Sequence, residues 1–280
     1  MPIATMLDYE FMRTAYAAGA IVAIVAGVVG FFLVLRNLAF AGHALSHVGF
    51  AGATGAILIG APPLWGLLAF TLAGAVAMGF LGARLRGRDV AVGIVLAFAL
   101  GLGFLFLSLY TTHATRATTI LFGNVFAVEP DSVWTLGALG CASLAALAAI
   151  SRPLLFATLA PELAEAKGVS LRLLSVLFLA IVAIAVAEAA QVVGVLLVFA
   201  LMVAPAAASL AMTRRCGAGV ALAALLALIE TWAGIALAYC TDWPATFWIV
   251  TLSCVVYFAS AFVRRTARSG ATNLPTVTGK

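Results

Sequence analysis

Long apolar runs alternate with short polar breaks along this chain, and the runs have a common length. A membrane-spanning helix needs about 20 mainly apolar residues. Nine such runs follow one another, over residues 15–35, 40–60, 63–83, 90–110, 131–150, 173–189, 190–212, 218–240 and 244–263. The sixth and seventh form one continuous stretch, which we divide at the polar cluster from Glu188 to Gln191. The pattern predicts an all-α, polytopic transmembrane helical bundle of about nine membrane segments. Residues 1–265 form the membrane domain, 152–172 its longest inside connection, and 266–280 a polar tail expected to be disordered.

Charge placement orients the bundle. With the N-terminus outside, 13 of the 15 Lys and Arg fall on inside segments, and only Arg13 and Arg116 fall outside. The acids Asp8, Glu10, Glu129, Asp131 and Asp242 lean the other way. Excess Lys and Arg in cytoplasmic loops sets membrane orientation, so the reading is N-terminus outside and C-terminus inside. Composition agrees: 65% of residues are hydrophobic and 9% charged, against about 25% charged in globular chains. The net charge of +5 comes from those topological clusters and gives no sign of nucleic-acid binding. The four cysteines, Cys141, Cys216, Cys240 and Cys254, form no CxxC pair and read as small membrane-helix residues. The acidic N-terminus lacks the basic start of a signal peptide.

Polar residues inside a membrane need a reason to be there. Two of the three histidines, His43 and His47, sit four apart in the second span, which places them on one face of a helix. Two imidazoles so placed can hold one borderline divalent cation; the plain alternative is that each bonds a neighbouring helix. Two ligands fall short of the four of a stable zinc site, and a transport site must also release its ion. Gly42, Gly49, Gly52 and Gly55 surround the pair. Small residues let helices approach closely, so this span is expected to be buried, with both histidines in the bundle interior.

Glu188 and Glu230 are the acids within apolar runs. An intramembrane charge costs about 2.5–3.5 kcal/mol on insertion scales, so each faces a cavity, pairs or is neutral. Glu188 reads as sitting at the outer interface, whereas Glu230 is placed either to line a path or to make a structural hydrogen bond. Residues 111–131, with His113, Arg116, Asn124 and Glu129, are too polar to span and fall outside. Asn124 and Glu129 are candidate outer-gate ligands, against ordinary loop polarity, and Leu121–Asn124 is a candidate to dip back into the bundle. Inside, Pro161 to Gly168 has Pro first, acids early, Lys167 late and a terminal glycine, the punctuation of a short helix. Its acids fit poorly with an anionic membrane surface, which favours docking onto a soluble partner. Pro205 permits a kink in the seventh span, and Asp242-Trp243-Pro244 reads as a tight outer turn with an interfacial tryptophan. GxSxG, HExxH and the P-loop pattern are all missing from the sequence, so no enzyme constellation is expected, and ATP-driven transport would need a separate ATPase chain.

In order along the chain, these landmarks resemble the membrane permease subunits of bacterial ABC importers for zinc, manganese and iron. The resemblance runs from about Phe31 to Ser260. It rests on Leu35-Arg36 before His43-Ala44-Leu45-Ser46-His47, on Leu121-Phe122-Gly123-Asn124, on Pro161 to Gly168, on Val193 to Val198 through Ala204-Pro205-Ala206, and on Asp242-Trp243-Pro244. It implies a homodimer in the bacterial inner membrane that works with a cytoplasmic ATP-binding subunit dimer and an extracytoplasmic metal-binding protein. No permanent cofactor is implied; the divalent metal is the cargo. The matching metal contacts are His43 and His47, with Asn124, Glu129 and Glu230 as weaker candidates. Pro161, Glu162, Glu165 and Gly168 match the ATPase-docking segment. The family commonly has Asp where this chain has His43. Carboxylate suits manganese and imidazole suits zinc, so zinc is favoured over manganese or iron. The runner-up reading is a proton- or sodium-coupled secondary metal transporter using Glu188 or Glu230.

Overall fold

The structure is a computed structural model that describes residues 6, 8–81, 88–109, 121–213 and 215–272. The expected polar segment before Leu121, with His113 and Arg116, lies outside the described residues, as do Arg84, Arg86, Arg214 and the last eight residues of the tail.

The nine expected spans correspond to nine long helices among the described residues: α1 (Glu10–Leu35), α2 (Ala39–Leu58), α3 (Pro63–Leu81), α4 (Arg88–Leu109), α5 (Pro130–Leu159), α7 (Leu171–Val193), α8 (Val195–Met212), α9 (Cys216–Thr241) and α10 (Ala245–Thr272). A short α6 (Pro161–Ala166) joins α5 to α7, and a single 3₁₀ turn, Val125–Ala127, precedes α5. Eight of the long helices are long and apolar enough to cross a membrane. The ninth, α2, is 20 residues long; its two histidines and four glycines dilute its apolar content.

In hydrocarbon the backbone must bond itself, which is why the chain is helical almost throughout. Packing then relies on close approach. Gly52 of α2 and Gly66 of α3 face each other so closely that a Cβ on either would stand 2.0–2.1 Å from the other's carbonyl oxygen. Gly30 of α1 meets the Met202 backbone of α8 in the same way. The centre of the bundle is α1, packed on α5, α7, α8 and α9; α2 packs on α3, α4, α7 and α8. At one end of the bundle, Tyr9 meets Tyr239 at 6.4 Å between ring centroids and Phe11 meets Phe126 at 6.1 Å. Towards the other end, Arg36 lies 5.3 Å over the Phe178 ring.

One expectation needs correction, and two helices run past their expected ends. The sixth and seventh spans part at Gly194, beyond the Glu188–Gln191 cluster. Gly194 has φ +86 and ψ 152, a conformation open essentially only to glycine; Glu188 and Gln191 continue α7 because burial in the bundle leaves their helix undisturbed. Helix α5 runs through Pro153 to Leu159, into the stretch expected as a connection from residue 152. Helix also extends to Thr272 in α10, into the stretch expected to be a disordered tail from residue 266; its alanines and arginines are good helix formers.

The break at Gly194 is covered by the segment from Leu121, which does turn in against the bundle. A Cβ on Gly194 would lie 2.3 Å from the Gly123 nitrogen, and a Cβ on Gly123 would lie 2.3 Å from the Val193 carbonyl carbon. Gly123 itself has φ +69. Thr246 on α10 donates to the Phe122 carbonyl at 2.9 Å, and the Asn124 side chain accepts from the Phe126 N–H at 3.2 Å. Two glycine backbones thus seal a broken helix.

Gly168 provides a comparison, since it has φ +83 but nothing within 4 Å of its would-be Cβ. Alanine there adds only backbone strain of about 1–2 kcal/mol. We expect Gly194→Ala to lower the melting temperature in detergent micelles clearly more than Gly168→Ala; equal shifts would contradict a tight Gly123–Gly194 seam.

Candidate functional site

The histidines lie where one uncovered face of α2 meets one uncovered face of α8. On α2, Phe40, His43 and His47 recur at helical spacing and keep some exposure, while Ala41, Gly42 and Ala44 to Ser46 are buried. On α8, Leu196, Phe199 and Val203 form the matching stripe. The two imidazoles sit 4.7 Å apart between ring centroids, nearly perpendicular at 84°. The Phe199 ring stands 5.1 Å from that of His43 at 73°. Nδ1 of His43 is buried without a hydrogen-bond partner among the described residues. One turn on, the Ser46 hydroxyl donates to the His43 carbonyl at 2.7 Å, which leaves the imidazole free of it. The helix is buried as expected, but the pair is half-buried at its edge and does not lie in the interior of the single chain. The reason is positional. Gly49 and Gly52 face α3, Gly42 faces Leu33 of α1 and Gly55 faces Phe106 of α4, and the histidines lie on the face that remains.

The other candidates lie elsewhere. Asn124 lines a cleft of about 960 Å³ at the Tyr9 end of the bundle, together with Tyr239, Asp242 and Trp243. Glu129 is exposed just before α5, at its N-cap position. Glu230 is 1% exposed, and one carboxylate oxygen accepts a short hydrogen bond from Ser253 of α10. Glu188 is 0% exposed, buried among the helices; its carboxylate lies near Gly140 of α5, and among the described residues both oxygens lack a partner. Among the described residues, no three His, Cys, Asp or Glu side chains gather into a metal cluster. The His43–His47 pair therefore stands apart from the three weaker candidates.

On α6, Pro161, Glu162, Glu165 and Gly168 are all exposed, with Leu163 beside them, and only Ala164 is fully buried. Pro161 occupies the first turn, where its missing N–H costs nothing. Lys167 folds back to 5.7 Å from the Phe156 ring. Sequence reasoning had no signal for three residues described above: Phe199, whose contact with His43 crosses between helices; Ser253, which bonds Glu230; and Gly194, which looks like any small packing residue.

Ser253→Ala strips Glu230 of its hydrogen bond, at a cost of about 1–3 kcal/mol for a buried unsatisfied group. Glu230→Gln keeps a bonding partner for Ser253. We expect thermal unfolding in detergent to fall more for Ser253→Ala than for Glu230→Gln; the opposite order would deny the pair its structural part.

Comparisons with known proteins follow the same outline. The family model of the ABC 3 transport family matches residues 8–264. A relative named manganese transport system membrane protein MntC, from Halalkalibacterium halodurans, is 31% identical over 258 residues, covering 92% of this chain and 88% of the relative. The manganese import system permease protein ScaB of Streptococcus parasanguinis is 26% identical over 257 residues, 91% of each chain. Among solved structures, PsaBC from Streptococcus pneumoniae in complex with Fab matches with a TM-score of 0.83 at 25% identity, over 93% of this chain and 94% of that one. With its helical membrane bundle and its match along nearly the whole sequence, the chain belongs to the ABC 3 transport family and is a multi-pass membrane permease subunit of the ABC importers that the resemblance named.

Proposed function

We propose that this chain forms the translocation path of an ATP-driven importer for a divalent transition metal, with zinc as the favoured cargo, and that His43 and His47 contact the ion in passage. The observation that carries this reading is the pair itself, two imidazoles 4.7 Å apart on a face that the single chain leaves uncovered. Neutral imidazole is a ligand for zinc and other borderline metals, while manganese prefers carboxylate and carbonyl oxygen. Relatives at 26–31% identity carry manganese in their names, so the cargo choice rests on the histidine at position 43. Two ligands bind weakly, which suits a site that must release its ion. A second copy of the chain meeting this face would enclose the pair between two bundles. That is the reason for placing the path in a homodimer.

With the N-terminus outside, α6 lies at the cytoplasmic end. There it offers Pro161, Glu162, Glu165 and Gly168 to the ATP-binding subunit dimer, and the cleft beside Asn124 and Asp242 opens towards an extracytoplasmic metal-binding protein. ATP-driven closure of the ATPase pair shifts α6 and, through α5 and α7, the bundle around the histidines. The ion-coupled alternative loses its support: the family is an ABC family, and Glu230 is engaged with Ser253.

Two expectations test this reading. His43→Ala combined with His47→Ala abolishes uptake of radioactive zinc by the reconstituted complex while expression and ATPase co-purification stay unchanged. Uptake at the unmodified rate would sink the assignment, and faster uptake of manganese than zinc by the unmodified complex would move the cargo to manganese. For the docking helix, Glu162→Arg with Gly168→Pro lowers ATPase co-purification. The proline cannot adopt the φ of +83 found at position 168, and the arginine reverses the charge of the exposed face. Unaltered co-purification would reject this interface.

A further inference from the structure

Phe199 lies beside the histidine pair, and nothing in the sequence pattern drew attention to it. It sits in the second turn of α8, five residues beyond the glycine that starts the helix. Val195, Leu197 and Val198 are buried around it, and Leu196 lies one turn back on the same uncovered stripe. The start of α8 is pinned by the Gly123–Gly194 seam. The Phe199 ring is therefore presented from a fixed turn.

The ring meets His43 edge to face, at 5.1 Å and 73°. His47 meets the same imidazole at 4.7 Å and 84°. His43 thus contacts two near-perpendicular rings, and its Nδ1 is buried with no hydrogen-bond partner among the described residues. A metal-binding histidine normally has its orientation fixed by a hydrogen bond from its second nitrogen. Here no group among the described residues bonds Nδ1, and the rings of Phe199 and His47 pack against the imidazole.

We propose that Phe199 is a positioning residue for the cargo site: its edge-to-face contact holds the His43 imidazole so that Nε2 is offered to the ion beside His47. This rests on the reading of the histidine pair as the cargo contact and adds to it the element that orients the first ligand. An apolar ring suits the task, because it fixes the imidazole without competing for the metal.

The test uses the full complex, with its ATPase and binding protein, in proteoliposomes, and measures zinc uptake kinetics. Phe199→Ala removes the ring. Phe199→Leu keeps apolar bulk and helix packing but not the aromatic edge, and Phe199→Tyr keeps both. Aromatic pairs of this geometry are worth a factor of about two to ten in an equilibrium. We expect Phe199→Ala and Phe199→Leu to raise KM for zinc by that factor with kcat held, and Phe199→Tyr to restore it. An unchanged KM in Phe199→Leu, or a fall in kcat at constant KM, would overturn the positioning role. The double histidine variant, run alongside, separates the two ideas. Zinc uptake that survives it removes the cargo site itself. Uptake lost there but insensitive to Phe199→Leu removes only the part assigned to Phe199.

Discussion

A backbone amide or carbonyl in hydrocarbon has no water to bond, and the whole bundle follows from that constraint. Among the described residues, nine long helices meet it internally. At the break between α7 and α8 the Gly194 N–H still bonds the Ala190 carbonyl and its own carbonyl accepts from Leu197, and there two glycines pack closely together. Gly194 takes a φ of +86 and Gly123 one of +69, and their backbones come together at a distance that no side chain would permit. The segment from Leu121 to Ala127 is drawn in to make that seam, with Thr246 and Asn124 supplying hydrogen bonds around it. Because α8 begins at the seam, its stripe of Leu196, Phe199 and Val203 is set against α2. The histidine face is therefore downstream of a backbone requirement.

Small residues do the corresponding work along the helix walls. Gly52 against Gly66 and Gly30 against Met202 bring helix axes close enough for dispersion and weak backbone contacts to act. The glycines of α2 use up its packing faces. What remains on α2 for a function is the line through Phe40, His43 and His47, and both histidines of the span fall on it. Glu230 follows a different logic. Its bond to Ser253 ties α9 to α10.

Much of this was legible in the sequence. Apolar run length placed the helices to within a few residues at most ends, because hydrocarbon thickness acts on length alone. The short helix from Pro161 was readable because proline, acids and glycine each mark a definite position in a helix. The histidine pair was readable from its spacing. The break at Gly194 was not. A polar cluster at Glu188 to Gln191 looked like an end, but polar residues can be buried within a helix, and the sequence does not distinguish a glycine with positive φ from a glycine that packs. Edge placement of His43 and His47 was equally hidden, since a small-residue helix suggests burial on every side. Phe199 and Ser253 carried no signal because their partners lie on other helices.

The account turns on whether a metal ion passes between the rings of His43 and His47. The most direct measurement is an anomalous difference map at the zinc absorption edge, from the complete transporter trapped with zinc during turnover. The account predicts a peak within bonding distance of Nε2 of both histidines, on the face where α2 meets α8. A peak bound wholly by other residues, with both imidazoles packed against lipid, would contradict it.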